Sequence, residues 1–549
     1  SVKDDGNLYI TGGKWRGCMY GVYELLERYI GWRFFYNKQT DSYLTKDADD
    51  AYYLYDSEHV DIPAGINDTQ VPSFAYRQGR YTWYYNYDEH AKLRESRSLR
   101  NLSKYNGYGS ATFSAAVHGF RDAVNAGVIP DYDYGGYDIG SPQPCYNNEE
   151  VIEAAMTYFL GQIEKKIASG YEIGKDITVV DVAQLDSGSF CKCKTCLNAI
   201  AKERSGVASV LYFTNEMADA ISEAYPGLWV SMFAYYGTST PPAKTMPRDN
   251  VNVSYCFYND IDKLTCGNHT LDGKNCTEHP DDSYGTSNYN YAAEFDRWCQ
   301  IAKRITVWYY PGNWALNSIT NSTIKTMLKD MRYFSDNGVY GIYPCCSNPK
   351  KETDWESIDA LMLHLYNRLL WNAEMTEEEF QAEIDDYLYV LYGEGGKFVG
   401  DYYKWLETTD RIGCWPFMIA FGNPCDRTDF AKVRDGFELC LSMFDDAIKY
   451  APSAKAEYGV RLASRSMYVR GLISVYHDWY ENGNDAQKAR YTELWEYFRD
   501  LAVSSSYILS GGKCAVLSDF DISENIGAMV DRFEGSPTRV SDWYDWQKY

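Results

Sequence analysis

Short apolar runs alternate with helical stretches through the middle of this chain, and this alternation constrains the fold more than any other feature. Six runs have the residue pattern of strands: SFAYR (73–77), ITVVDVA (177–183), LWVSMFAYY (228–236), VNVSYCFY (251–258), RITVWYY (304–310) and GVYGIYP (338–344). Helical patterns lie between them, for example over 149–168 and 209–225. Alternation of strand and helix over about 300 residues predicts an α/β fold with a parallel sheet, most simply a (β/α)8 TIM-like barrel.

The segments on either side of this region differ from it. Residues 14–36 begin with a helical face and end in the strand-like sequence WRFFY. After Trp371 the pattern is helical almost to the end of the chain, with glycines between the helical segments. We therefore expect a barrel over 72–371 and a helical domain over 376–549 that packs against it.

The charge of the chain excludes some partners. The formal net charge is −24 and the pI is about 4.8. Such a chain repels nucleic acid and anionic lipid, so we expect neither as a partner. No run of 18 apolar residues occurs, so membrane insertion is not expected either.

Aromatic residues make up 16% of the chain, with 52 tyrosines and 15 tryptophans. Rings that carry a polar group suit sugars, which stack their C–H faces and form hydrogen bonds at their edges. A carbohydrate is therefore the expected substrate or ligand, although many of these rings will simply pack in the core. The sequence VWYYPGNW places Tyr310 and Trp314 just beyond a predicted strand, where a sugar platform would lie.

Two features favour an extracellular protein: the chain has 15 cysteines and six N-x-S/T sequons. The start at Ser1 without a methionine fits either a processed mature protein or a trimmed sequence. Cysteine-rich proteins are more common in oxidising compartments. We expect a secreted protein or one at the cell surface.

The candidate catalytic residues follow the predicted strand ITVV. Asp181 and Asp186 lie where a barrel strand delivers side chains to the active-site face. Carboxylates at that position could serve a glycosidase, which needs one group to protonate the leaving oxygen and another to attack or stabilise the anomeric carbon. The alternative for Asp186, in the sequence LDSG, is that it caps a turn.

Three cysteines come next, at C-x-C-x-x-C spacing: Cys191, Cys193 and Cys196. A structural zinc ion would need a fourth ligand from elsewhere in the chain. Disulfides explain the three cysteines equally well, so the choice between zinc and disulfide stays open. In both cases the role is structural.

Two further polar residues have alternative interpretations. His118, in AAVHGF, could contact a substrate hydroxyl or could be a buried structural histidine. Asn215 lies within a helical pattern, so it could face the core. No P-loop, G-x-G-x-x-G, G-x-S-x-G or H-E-x-x-H motif occurs, and the common nucleotide, serine-hydrolase and zincin readings have no support.

A series of short motifs, in a specific order, resembles the bacterial DUF4838 proteins. They include G-x-x-Y-G-V-Y-E-L-L-E-x-x-x-G-W-R (17–33), P-S-F-x-Y-R (72–77), Q-P-C-Y-N-N-E-E-V (143–151), D-S-G-S-F-C-K-C-K-T-C (186–196) and L-L-W-N (369–372). The characterised branch of that family, glycoside hydrolase family 163, acts on β-linked N-acetylglucosamine of complex N-glycans. The resemblance implies a small N-terminal α/β domain over 1–60, like those that precede hexosaminidase and α-glucuronidase barrels. It also implies a sugar subsite lined by Arg77, His118, Asn215, Tyr235, Tyr310 and Trp314.

Two positions depart from the family pattern. Relatives carry a carboxylate after the strand that corresponds to GVYGIYP, where this chain has Tyr343 to Cys346, and they have W-D-Y in place of Trp308 to Tyr310. The leading hypothesis is therefore a glycosidase for β-linked N-acetylglucosamine that requires no cofactor, with Asp186 and then Asp181 as catalytic candidates. The alternative is a catalytically impaired glycan-binding or surface-structural protein on the same barrel.

Overall fold

The computed structural model describes residues 6–13, 17–33, 52–53, 61–77, 118–130, 143–188, 190–256, 291–309, 324–344, 359–409, 430–504, 508–509 and 515–516. At the N-terminal end, α1 (Gly17–Tyr29) forms where the helical face predicts it. The strands β1 (Trp32–Arg33) and β2 (Tyr52–Tyr53) follow and pair antiparallel. The division of the chain into three domains stays a prediction.

The centre of the protein is a six-stranded parallel sheet. Its strands are β3 (Tyr76–Arg77), β4 (Val179–Asp181), β5 (Trp229–Ala234), β6 (Val251–Cys256), β7 (Arg304–Tyr309) and β8 (Gly341–Pro344). Each lies within one of the six predicted runs, so the six strand predictions are confirmed. The strand order is β3-β8-β7-β6-β5-β4.

This order has the form of a half-barrel. The first strand of the sheet, β3, pairs with the last, β8, which is the pairing that closes an α/β barrel. The free edges are β3 and β4, which follow one another along the chain, and residues 78–117 between them lie outside the described residues. A parallel α/β half-barrel is thus what the structure shows, and the complete (β/α)8 barrel stays a prediction.

Seven helices of the described chain accompany the sheet: α2 (Phe120–Asn125), α3 (Glu149–Ala168), α4 (Lys194–Glu203), α5 (Ala208–Ala224), α6 (Tyr291–Ile301), α7 (Ile324–Asp336) and α8 (Asp359–Trp371). Helix α3 has the predicted bounds, and its ends show why. The Asn148 side chain accepts a hydrogen bond from the Glu150 amide at the N-terminus. Lys165 and Lys166 lie in the last turn, where positive charge favours the helix dipole.

The two faces of the sheet differ in chemistry. Val230, Val253, Val307 and Ile342 lie on one face and belong to the apolar core shared with the helices. The other face, called the polar face below, carries Ser231, Asn252, Ser254 and Thr306, all inaccessible to solvent. Asn252 donates from Nδ2 to the hydroxyls of Ser231 (3.1 Å) and Thr306 (3.0 Å). Because Asn252 is buried, its sequon is inaccessible to glycosylation in the folded protein.

The C-terminal part of the described chain is helical, as predicted. It contains α9 (Glu377–Tyr392), α10 (Gly396–Thr409), α11 (Phe430–Lys449), α12 (Ala454–Ala463), α13 (Arg465–Val475) and α14 (Asp485–Ser504). A π-helical turn (Tyr476–Glu481) precedes α14, and β9 (Ile508–Leu509) and β10 (Ala515–Val516) pair antiparallel after it. Apolar residues of α9 and α11 belong to the same buried cluster as the strands, so one core joins the helices to the sheet. Among the described helices, none has the length and apolar character to cross a membrane.

A partly buried ion network connects three helices. The Arg368 guanidinium, on α8, binds Glu27 of α1 and Glu383 of α9. His364 lies 3.5 Å from Glu383 between Nε2 and Oε2. Burial raises the pKa of Glu383, but Arg368 and His364 outweigh it and lower that pKa to about 2.

Replacing the central cation of this network should destabilise the protein. In Arg368→Met, Glu27 loses this cation and Glu383 keeps only His364, and we expect the free energy of unfolding to fall by about 3 kcal/mol. Arg490→Met is the matched control, since Arg490 pairs with Glu493 on an exposed helix surface and should lose less than about 1 kcal/mol. Urea unfolding followed by circular dichroism measures both. Similar losses in the two variants would contradict the role of the network.

The same network predicts a pH dependence. The folded-state pKa of Glu383 near 2 lies below the unfolded value of about 4.3. The stability that this carboxylate contributes is therefore complete above about pH 4.3 and is lost as the pH falls towards 2. Glu383→Gln should be less stable than the wild type at pH 6, and the difference should shrink between pH 4.5 and pH 2 in unfolding experiments. A difference that is constant with pH would show that the charge of Glu383 does not matter.

Candidate functional site

The loops after β4 and β5 meet at the carboxyl edge of the sheet, and Gln184 joins them. Its Nε2 donates to the carbonyl of Phe233 (3.1 Å) and to the Thr238 hydroxyl (2.9 Å). Its Oε1 accepts from the Phe233 amide (3.3 Å). Gln184 is buried. Its side-chain amide bonds both the carbonyl and the amide of Phe233, as the backbone of a neighbouring strand would. The residues that follow Gln184 are thereby held above the end of β5.

Asp186 has its backbone fixed on both sides by a second buried glutamine. Gln143 donates from Nε2 to the carbonyls of Leu185 (2.5 Å) and Ser187 (2.8 Å). Its Oε1 accepts from the Leu185 amide (3.0 Å) and the Tyr146 hydroxyl (2.8 Å). The Asp186 side chain itself is 44% exposed. A carboxylate on a rigid backbone with its oxygens open to solvent is suited to meet a ligand.

His118 approaches Asp186 from the segment before α2. Its Nδ1 lies 2.6 Å from the carbonyl oxygen of Gln184. Because a carbonyl only accepts, Nδ1 carries the proton. The φ of His118 is +58°, in the left-handed region that a non-glycine residue adopts at a cost. Such conformations occur most often at functional sites, where the surrounding structure holds them.

Two backbone contacts hold His118 in this conformation. The Phe120 amide donates to the Ala183 carbonyl (3.0 Å). Gly119 lies so close to β4 that a Cβ atom would be 2.0 Å from the carbonyl oxygen of Asp181. Only glycine fits at this close approach.

His118, Asp186 and Tyr235 form a polar group at the carboxyl edge. The Tyr235 hydroxyl donates to Asp186 Oδ1 (3.2 Å), and His118 Nε2 lies 3.8 Å from the same oxygen. Burial lowers the pKa of His118 and outweighs the opposite effects of Asp186 and of the Gln184 carbonyl, and Arg121 lowers it further. The neutral ring, protonated at Nδ1, presents Nε2 as an acceptor. Two acceptors side by side suit a ligand donor, such as a hydroxyl or an amide N–H.

Aromatic rings extend from this group across the polar face of the sheet. The Phe233 ring lies 4.7 Å from the His118 ring and 5.3 Å from the Trp308 ring, measured between centroids. Trp308 stacks on Tyr343 at 4.4 Å. Phe233 comes two residues after Ser231 on the same strand and therefore shares its face. The polar group thus adjoins a row of rings of the kind that binds sugars.

Asp181, the second catalytic candidate, also lies on the polar face, because it pairs with Ser231 in the sheet. Its Oδ1 accepts a hydrogen bond from the Ala183 amide (3.0 Å). The turn-capping role considered for Asp186 therefore belongs to Asp181. Its carboxylate helps to hold the chain that leads to Gln184.

Arg77 does not lie in the predicted sugar subsite. It pairs with Ile342 and so shares the apolar face of the sheet, under the helices. Its Nη1 donates to the Phe74 carbonyl (2.8 Å), and its guanidinium lies 5.2 Å from the centre of the Trp371 ring. The sequence could not show this position, because the side-chain alternation of a two-residue strand cannot be assigned from its residues alone.

Asn215 also lies away from the subsite. It is buried on α5, where its Nδ2 donates to the Met246 carbonyl (3.0 Å) and its Oδ1 accepts from the Arg248 amide (3.0 Å). Those two residues precede β6, so they lie towards the amino edge of the sheet and not the carboxyl edge. The core-facing alternative for Asn215 is the one that the structure supports.

Of the four remaining residues predicted to line the sugar subsite, two lie within the described part of the chain. Tyr235 and His118 lie beside Asp186, whereas Tyr310 and Trp314 lie outside the described residues. Residues 345–346, part of the departure from the family pattern, also lie outside them. Gln143 and Gln184 were not predicted. Gln143 had a signal in the sequence, since it opens one of the shared motifs.

The three predicted cysteines come together with a fourth. The sulfurs of Cys145, Cys191, Cys193 and Cys196 all lie within 4.8 Å of one another. Cys145 belongs to the same short segment as Gln143, so that segment contacts the loop of Asp186 at two places. Each of the eight cysteines in the described part of the chain is a free thiol, and the predicted disulfides have no support there.

Comparison with known proteins identifies the family. The model of a domain of unknown function, DUF4838, matches residues 48–404, which is more than half of the chain, so the protein belongs to this family. No curated protein matches the chain. One similar solved structure is that of a GH138 enzyme targeting pectin rhamnogalacturonan II, with 9% identity and a TM-score of 0.30 over 87% of this chain and 69% of that one. A likeness of this degree carries no argument about activity.

Removing the Gln143 side chain should release the Asp186 loop. Gln143→Leu removes two hydrogen bonds to Leu185 and one to Ser187. The Leu185 amide loses its partner, at about 1–3 kcal/mol for a buried group, whereas the Leu185 carbonyl keeps its bond from the Ser187 amide (2.9 Å). We expect faster amide hydrogen exchange over residues 184–188, measured by mass spectrometry. Gln381→Leu is the control, because Gln381 bonds to Asp385 on an exposed helix surface. Unchanged amide exchange in Gln143→Leu would contradict the role of Gln143 in holding the Asp186 loop.

Proposed function

We propose that this protein is a secreted glycoside hydrolase that acts on β-linked N-acetylglucosamine in glycans. The observation that carries the proposal is the group of His118, Asp186 and Tyr235 beside the aromatic rings at the carboxyl edge of a parallel sheet. In α/β barrels this edge is where active sites form. Family membership is consistent with the proposal but does not supply an activity.

Asp186 is the centre of the proposed chemistry. In the reaction, the bond between the anomeric carbon and the leaving oxygen breaks, the leaving oxygen gains a proton, and water supplies the hydroxyl of the product. Asp186 can act as the acid/base, or it can accept the N–H of the sugar's acetamido group. In the second case, the negative carboxylate makes the acetamido oxygen a better nucleophile towards the anomeric carbon, and solvent water supplies the proton to the leaving oxygen.

The neighbours of Asp186 have supporting roles. The Tyr235 hydroxyl bonds to Oδ1 and directs the carboxylate. Nε2 of neutral His118 can accept a hydrogen bond from a sugar hydroxyl. Trp308 and Tyr343 are too buried to form an open platform themselves, at 6% and 3% exposed, so they define the floor of the site. Tyr310 and Trp314 remain the candidates for direct stacking on the sugar.

One observation favours a second candidate, a glycan-binding protein without hydrolytic activity. The second carboxylate candidate, Asp181, is engaged in a hydrogen bond from the Ala183 amide within its own turn. Conventional hydrolysis requires a pair of carboxyl groups about 5–10 Å apart. A reaction assisted by the acetamido group needs fewer enzyme carboxylates, which is why hydrolysis remains the preferred function.

The substrate and the residue can be tested together. Purified protein is incubated with a mixed pool of complex N-glycans, and released sugars are measured by mass spectrometry. We expect release by the wild type and a reduction of about 10²–10⁴-fold in Asp186→Asn. Asp219→Asn is the matched control, because Asp219 pairs with Arg248 on an exposed surface away from the site, and it should keep wild-type activity.

Each other outcome has a distinct meaning. If the wild type retains glycans but releases no sugar, the glycan-binding function is supported and hydrolysis is excluded. Equal release by the wild type and by Asp186→Asn would show that the protein is a glycosidase but that Asp186 is not a catalytic residue.

A further inference from the structure

The four clustered cysteines have the geometry of a tetrahedral metal site. The Cys145 sulfur lies 3.9 Å from that of Cys193 and 3.6 Å from that of Cys196. Four thiolates at a Zn–S distance of about 2.3 Å in a tetrahedron have sulfurs about 3.8 Å apart. A disulfide requires sulfurs about 2.05 Å apart, so the observed separations match metal coordination and not covalent pairing.

The surroundings of the sulfurs are those of thiolate ligands. Asn147 donates from Nδ2 to the Cys196 sulfur (3.2 Å) and also to the Ser209 hydroxyl (2.6 Å), which fixes its orientation. The Cys196 amide points to the Cys193 sulfur and the Cys193 amide to the Cys191 sulfur, each at 3.5 Å. Donors of this kind stabilise the negative charge of thiolates and orient metal ligands.

The N-terminus of helix α4 lies at the cysteine cluster. Cys193 caps the N-terminus of the helix, and Cys196 lies in its first turn. The partial positive charge of a helix N-terminus favours thiolate. The exposed side chains of Lys192 and Lys194 add positive charge beside the cluster. Both features offset the net charge of −2 that four thiolates and one Zn²⁺ would carry.

We propose that Cys145, Cys191, Cys193 and Cys196 bind one structural zinc ion. Four protein ligands leave no open position for a substrate, so the site is closed and has no catalytic role. Its effect is mechanical. The ion joins the segment of Gln143 to the loop that carries Asp186, and this second attachment lies ten residues or fewer from the carboxylate.

The metal content of the intact protein tests this proposal. Protein purified without chelator should contain about one zinc per chain by inductively coupled plasma mass spectrometry. Cys145→Ser should contain much less than one zinc per chain. Cys18→Ser is the matched control and should keep it, because Cys18 is an exposed thiol on α1 away from the cluster. The wild-type stoichiometry stands as a test even if Cys145→Ser does not fold.

Two further measurements distinguish the alternatives. Removal of zinc from the wild type with a strong chelator should lower the melting temperature and speed amide exchange over residues 184–196, and added zinc should reverse both changes. Visible absorbance typical of iron bound to thiolates would show that the site binds iron and not zinc. Wild-type protein without metal, in which peptide mapping shows these cysteines paired as disulfides, would overturn the site. None of these readouts depends on glycan hydrolysis.

Discussion

The candidate site depends on the hydrogen bonds of one buried side chain, that of Gln143. Its side-chain amide forms hydrogen bonds with backbone groups on both sides of Asp186, namely the Leu185 amide and the Leu185 and Ser187 carbonyls. An amide group can donate and accept at once, which is why a glutamine can replace the missing edge of a sheet at this position. The exposed carboxylate is therefore attached to a backbone that the core holds in place.

The site also depends on the polar face of the sheet, to which β5, β6 and β7 contribute buried polar side chains in register. The hydroxyl and amide groups of Ser231, Asn252 and Thr306 bond to one another deep in this face. Above them, towards the carboxyl edge, the residues on the same face become aromatic. The change from hydrogen-bonded floor to aromatic row follows from the two-residue alternation of parallel strands in register. It places the rings directly beside His118 and Asp186.

How far the sequence could predict this arrangement varied with the kind of signal. The six strands and the helices of the C-terminal part were predictable, because each repeats a local pattern over many residues. Asp186, His118 and Tyr235 were named from the sequence and lie together in the structure, and their role at a ligand site stays a prediction. Arg77 and Asn215 lie away from this group, because their local patterns do not say which face of a strand or helix is covered. Cys145 lies 46 residues before Cys191, and no spacing rule connects the two.

The sequence by itself determined the order of strands and helices, the acidic surface and the positions of the polar residues relative to the strand ends. These properties are local, because side-chain periodicity and charge act over a few residues. The tertiary structure alone decided that Asp181 caps its own turn while Asp186 faces solvent, and that a cysteine from a distant segment completes the cluster of Cys191, Cys193 and Cys196. Such outcomes depend on which buried donors and acceptors find partners when distant segments pack together.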